Sequence, residues 1–145
     1  MTRSGYSDDL DWLELGRWRG RVMSALRGRR GQALLRDIAK AMDAMPERVL
    51  GAGGLKTPAG DFCTLGCAMA HRGLDVPVEE DESDFDVDWT AGQLDIAECL
   101  AMEVTYINDE CGFFNETGEQ RWRRVRKWVA ENLRGAAPQP SGGAS

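Results

Sequence analysis

Residues 29–46 read RRGQALLRDIAKAMDAMP. Leu34, Leu35, Ile38, Ala41, Met42 and Met45 recur at steps of three and four, which sets them along one side of a helix. Pro46 cannot donate the bond a continuing helix needs, and ends it. A stripe this apolar has to be covered, so its neighbours decide the fold. Upstream, Leu15, Trp18, Val22 and Leu26 form a second stripe over about residues 8–27, with Ser7, Asp8 or Asp9 as the capping side chain and Gly28 as the break. The two segments predict an antiparallel helical hairpin with the stripes buried together.

Downstream, RVLGAGGLKTPAGDFCTL (residues 48–65) sets short apolar pieces around glycines and a Thr57-Pro58-Ala59-Gly60 turn, which predicts a small β-hairpin. GCAMAHRG (66–73) reads as one or two helical turns closed by Gly73. An acidic loop follows from Val76 to Asp88. Asp88 or Thr90 then caps one long helix carrying Leu94, Ala97, Leu100, Met102, Val104 and Ile107, with Asn108 and Gly112 bracketing its end. Thr117 and Gln120 have capping-box spacing ahead of a last stripe, Trp122, Val125, Val129 and Leu133. The expected architecture is mainly α: a compact single-domain helical bundle with a small β-hairpin over residues 6–134, between a flexible N-terminus (1–5) and a disordered tail (135–145) poor in apolar residues.

Composition agrees with one core. The 145 residues are 42% hydrophobic and 29% charged, ordinary globular usage. No run approaches the roughly 20 apolar residues of a membrane span, and MTRSGYSDDLDWLEL lacks the apolar stretch of a signal peptide, so the cytoplasm is the expected compartment. In that reducing setting Cys63, Cys67, Cys99 and Cys111 read as small buried apolar residues. Charge is uneven along the chain: residues 1–50 carry 10 Lys/Arg against 7 Asp/Glu, residues 51–116 carry 2 against 15, and residues 117–145 carry 6 against 2. Basic ends thus flank an acidic middle, a polarity able to organise internal contacts or to attract a charged partner.

The acidic middle is densest at EEDESDFDVDW (79–89), where Glu79, Glu80, Asp81, Glu82, Asp84, Asp86 and Asp88 are joined by Phe85 and Trp89. Asp84, Asp86 and Asp88 fall at positions one, three and five of an EF-hand loop, but Trp89 stands where that loop needs Gly and Asp95 where it needs a bidentate Glu. Two readings remain. The carboxylates form a surface spaced to occupy a basic groove with Phe85 or Trp89 as apolar anchors, or they only solvate a loop whose aromatics enter the core.

GAGGLKT (51–57) departs from the phosphate-loop consensus, since Leu55 and Leu50 stand where glycines belong. Cys63, Cys67 and His71, four apart, can share a helix face and offer three zinc ligands, but a fourth would have to come from distant Cys99 or Cys111; the expectation is no metal and no cofactor. His71 is the single histidine, and no nucleophile context accompanies it, so no catalytic residue is assigned. RWRRVRKW (121–128) gathers Arg121, Arg123, Arg124, Arg126 and Lys127 around two tryptophans, which suits a phosphate backbone and equally the solvated face of an amphipathic helix. Arg17, Arg19, Arg21, Arg27, Arg29 and Arg30 add a comparable basic edge.

YSDD, GRWRGRVMSALRGRRGQALLRDIAKAMDAMPE, CTLGCAMAHRGLD, YINDE and ETGEQRWRRVRKWV together resemble a family of small proteins from bacteriophages and prophages, over about Tyr6 to Leu133. The resemblance rests chiefly on RGQALLR followed by the Met-Pro stop, and the chain departs from it in the CxxxC segment and the acidic insertion. It implies a phage origin and a compact helical domain and carries over no catalytic residue. The resulting expectation is a non-enzymatic protein that binds a host or phage macromolecule, most concretely as an inhibitor of a nucleic-acid-handling or defence protein through the acidic surface. The alternative is a nucleic-acid-binding accessory protein using the basic C-terminal helix.

Overall fold

The computed structural model describes residues 2–7, 9 and 11–135. They form six α-helices: α1 (Trp12–Arg27), α2 (Arg29–Asp43), α3 (Thr64–His71), α4 (Val87–Leu94), α5 (Glu98–Glu110) and α6 (Gly118–Asn132), with a short 3-10 turn at Glu82–Asp84. The mainly helical expectation holds. The expected cap at Asp8 and all of the expected tail beyond Gly135 lie outside the described residues.

α2 is the centre of the bundle and packs against α1, α3 and α6. Its Leu34, Leu35, Ile38 and Met42 are fully enclosed, together with Leu65 and Met69 of α3, Leu94 of α4, Leu100 of α5, and Val125 and Val129 of α6. Burying a side chain of this size stabilises by roughly 1.5–3 kcal/mol, so these stripes dominate the folding energy. The α1 stripe is buried only at its end, at Val22 and Leu26, whereas Leu15 is exposed and Trp18 half-buried. α1 begins at Trp12, where the Asp11 carboxylate accepts from the Glu14 N–H (2.9 Å), about a turn later than the sequence suggests. One residue, Gly28, separates α1 from α2. Gly31 lies directly against the Ala25 and Leu26 carbonyls, a contact no other residue could make.

The expected β-hairpin is not formed: among the described residues there is no strand, only isolated bridges from Lys56 to Phe62 and to Val78. The turn itself is present, with Gly60 N–H donating to Thr57 O and Thr57 N–H to Asp61 O, both at 2.8 Å. Cys63 N–H still donates to Leu55 O (3.1 Å) across the two arms, but no ladder extends: the Leu55 N–H is taken by the Glu79 carboxylate, and Gly51 N–H crosses to Phe62 O out of register with the Leu55–Cys63 pair.

The single long helix expected after the acidic loop is two. Asp95 takes the left-handed conformation (φ 54°), Ile96 N–H returns to Ala91 O (3.0 Å) and Asp95 N–H to Gly92 O (3.3 Å), a Schellman ending for α4. Ile96 is buried, and α5 starts afresh behind Ala97. The break turns two apolar stripes that share one period onto different neighbours, with α5 reaching α1, α3 and α6. Thr117 and Gln120 do form the capping box of α6, at 3.1 and 2.8 Å.

The N-terminal residues, read as a flexible end, are packed: Arg3 and Ser4 are buried, and the Arg3 guanidinium donates to both Asp109 carboxylate oxygens at 2.9 and 3.0 Å. Sequence periodicity carries no trace of such a long-range ion pair.

Candidate functional site

The acidic segment is an ordered surface built from successive caps. Asp81 accepts from the Ser83 N–H (2.9 Å), which holds its carboxyl below the usual range, and Asp84 reaches back to the N–H groups of Glu80 and Asp81 at 3.0 and 3.1 Å. Asp86, in place of the expected Asp88 or Thr90, caps α4 by accepting from Trp89 N–H at 2.9 Å. Each cap satisfies a backbone donor that a free loop would leave to water.

Of the seven carboxylates, Glu79 turns inward. It is 6% exposed, accepts from Leu55 N–H at 2.8 Å, and burial pushes its carboxyl above the ordinary range. Glu80, Asp81, Glu82, Asp84, Asp86 and Asp88 are exposed, and among the described residues none of them enters a salt bridge. Asp88 adds Glu98 to the patch: a hydrogen bond between the two carboxyls raises Glu98, as like charges set side by side must. The two aromatics separate. Phe85 is half-buried beneath the Arg3 guanidinium, 5.0 Å from its centroid, while Trp89 is 42% exposed beside the acids. Phe85 is therefore part of the scaffold and Trp89 alone keeps an anchor's exposure.

No metal loop results from this arrangement. Asp84 and Asp86 are engaged as caps, and Asp88 stands in the first turn of α4 where an EF-hand would still be loop. Cys63 caps α3, accepting from Gly66 N–H, and the Cys67 thiol donates to Thr64 O at 3.1 Å, with burial pushing its pKa up. His71 faces solvent. Among the described residues no group of three His, Cys, Asp or Glu side chains is placed to hold a metal ion. Cys63 and Cys67 are buried as expected, Cys99 is half-buried, and Cys111, read as buried, is exposed.

The basic helix is largely committed inside the protein. Arg124 donates to Glu116 at 2.6 and 2.9 Å and to the Ile107 and Asn108 carbonyls at the end of α5 at 2.6 and 3.2 Å. Arg121 donates to Leu50 O at 2.8 Å, and Arg126 grips Asp43 at 2.9 and 3.0 Å. Arg123 and Lys127 are the two of the five that stand exposed. A helix that commits three of five cations to its own fold offers a phosphate backbone little. Buried Trp122 leaves its Nε1–H without a partner and packs under Arg48, 4.6 Å from the centroid.

Sequence reasoning missed a polar network between the N-terminus, α1 and α5. Buried Glu103 accepts from Tyr6 Oη (2.8 Å) and from Arg19 at 2.8 and 3.1 Å, and Trp18 Nε1 donates to Tyr6 Oη at 2.9 Å. The one available signal was a glutamate beside Val104 in an apolar register. Tyr6, Leu15, Trp18, Tyr106 and Glu110 line a cleft of about 290 Å³ beside this network. Trp12, Leu13, Phe113 and Phe114, also unremarked, are exposed at 90, 62, 60 and 89%. Among the described residues no helix is long and apolar enough to cross a membrane.

No family model, curated protein or solved structure matches this chain.

Proposed function

We propose that this chain is a non-enzymatic binding protein of phage or prophage origin, acting in the host cytoplasm, which engages a basic host or phage protein through the surface of Glu80, Asp81, Glu82, Asp84, Asp86 and Asp88 with Trp89 as its apolar anchor. The observation that carries the reading is that these six carboxylates are exposed and free of salt bridges among the described residues, on a segment held by its own caps. A pre-ordered array loses less entropy on association than a free loop, and dense negative charge speeds encounter with a positive groove. A partner that handles nucleic acid has such a groove, and inhibition follows from occupying it.

Charge reversal at positions free of capping roles tests the reading. The partner, captured from host lysate and purified, is titrated against the wild type and against Glu80→Lys/Glu82→Lys/Asp88→Lys. The expected outcome is binding that weakens steeply with salt and is lost in the triple variant, while Arg123→Glu/Lys127→Glu leaves it intact. Binding that survives high salt and the triple reversal rejects the acidic surface. A gel shift with duplex and single-stranded DNA that responds to Arg123 and Lys127 instead selects the nucleic-acid alternative.

A further inference from the structure

Three aromatic rings wall the cleft of about 290 Å³ between the N-terminal segment, α1 and α5. Tyr6 meets Trp18 edge to face with centroids 5.7 Å apart, and Tyr106 at a tilt of 40° with centroids 4.8 Å apart. The walls are fixed from behind: Tyr6 Oη donates to buried Glu103 and accepts from Trp18 Nε1, so neither ring turns without breaking a hydrogen bond. Arg21, which does not line the cleft, lies over the Trp18 ring at 5.5 Å, so this aromatic cluster already holds one cation from outside. Inside, the charge is negative. Arg19 and Glu103 are joined by two hydrogen bonds at 2.8 and 3.1 Å and cancel each other. Glu110 remains. Among the described residues it enters no salt bridge, and Ser4 Oγ donates to one of its carboxylate oxygens while the other has no donor.

We propose that this cleft binds an alkylammonium group, supplied by a lysine side chain of another protein or by a small amine. The face of an aromatic ring carries the negative part of its quadrupole and attracts a cation within about 6 Å of the centroid. Leu15 and the rings receive the alkyl carbons, and the free Glu110 oxygen receives the charge. A guanidinium fits less well, because its fork pairs with both oxygens of a carboxylate and Ser4 already occupies one. An anion would meet Glu110 with Arg19 already committed to Glu103. The volume stands at the small end of ligand pockets, which run from roughly 300 Å³ upward, and suits a group the size of one side chain. The cleft uses no residue of the acidic surface, so the inference stands or falls separately from the function proposed above.

Chemical-shift titration of the full isotope-labelled chain tests the site, with the Trp18 indole N–H as reporter and sodium chloride at equal ionic strength as reference. The probes are N-acetyl-lysine methylamide, choline, the uncharged carbon analogue of choline, and N-acetyl-arginine methylamide. Saturable shifts are expected from the lysine probe and from choline, and the tighter of the two names the source of the ammonium. Glu110→Gln keeps the acceptor for Ser4 and removes the charge, so it is expected to bind about fivefold more weakly. Tyr106→Phe keeps the ring and is expected to bind as the wild type does, whereas Tyr106→Leu keeps apolar bulk without a π face and is expected to lose about fivefold. Circular dichroism confirms that each variant keeps its helices; should Tyr106→Leu unfold, Glu110→Gln decides alone. The proposal is overturned by the absence of a saturable shift from both ammonium probes, by equal shifts from the uncharged analogue, by tighter binding of the arginine probe, or by unchanged affinity in either weakened variant.

Discussion

Glu79 and Leu55 are joined by a 2.8 Å hydrogen bond from the Leu55 backbone N–H to the Glu79 carboxylate, which ties the start of the acidic surface to the glycine-rich loop before α3. Burial raises the Glu79 carboxyl above its ordinary 4.5, while Leu55 N–H and nearby Arg3 act in the opposite sense. The folded state therefore holds this proton more readily than the unfolded state. Its stabilising contribution is fully present below pH 4.5 and is lost as pH rises through the raised folded value. Glu79→Gln keeps an oxygen acceptor and removes the titration. Thermal midpoints measured across this range should show the wild type losing ground to Glu79→Gln as pH rises; a constant difference contradicts the assignment.

Arg124→Ala should destabilise the fold although Arg124 lies outside the apolar stripe of α6. Glu116, with its side chain 4% exposed, would lose its closest cation, and the Ile107 and Asn108 carbonyls would lose their donor. Removing one partner of a buried pair costs about 3 kcal/mol, readable from urea unfolding. The Arg124 hydrogen bonds hold Glu116 below its ordinary 4.5, so the pair's contribution is present above that value and lost as pH falls through the folded one. The variant should accordingly show less acid destabilisation than the wild type, and equal acid sensitivity would rule the pair out as its source.

Arg3→Ala, or removal of residues 1–5, should destabilise by about 3 kcal/mol for the same reason. The Arg3 side chain is fully enclosed, and its loss leaves Asp109, among the described residues, with the Asn108 side-chain amide (2.8 Å) and the Gly53 N–H (3.3 Å) as donors. Denaturant unfolding of the shortened chain at wild-type stability would show the N-terminus to be dispensable.

Gly66→Ala should cost about 1–3 kcal/mol although alanine is the better helix former, because a Cβ there meets the Leu55 carbonyl oxygen, a backbone atom that cannot swing aside. Gly92→Ala, in α4 with open space around it, is the control and should be neutral or stabilising. The two variants compared by thermal melting separate packing from propensity.

Much of the helical fold was legible in local pattern. The stripe of α2, its stop before Pro46, Gly73 behind α3 and the Thr117–Gln120 box depend on residues within a turn or two of each other, and each appears where the periodicity sets it. The break at Asp95 was not legible. Leu94, Ala97, Leu100 and Val104 keep one helical period across it, and the left-handed Asp95 is stabilised by burial of Ile96 rather than by a glycine signal. In the acidic segment the sequence marked the right region and could not sort its members. Seven similar side chains became one buried acceptor, Glu79, three caps, Asp81, Asp84 and Asp86, and the remainder.

By itself, then, the amino-acid order determined helix, stripe and the distribution of charge, since propensity, capping and amphipathic period are short-range properties of the chain. Tertiary structure alone decided which charges remain available. Arg3 found Asp109, Arg19 found Glu103 and Arg126 found Asp43 across separations of 83 to 106 residues. A buried or neighbouring charge takes whichever opposite group the packing brings within a few ångströms, and no local pattern encodes that choice. Packing likewise left Leu13, Gly16 and Gly20 uncovered on α1 while it enclosed Val22 and Leu26, because a helix longer than the face it rests on must extend beyond it.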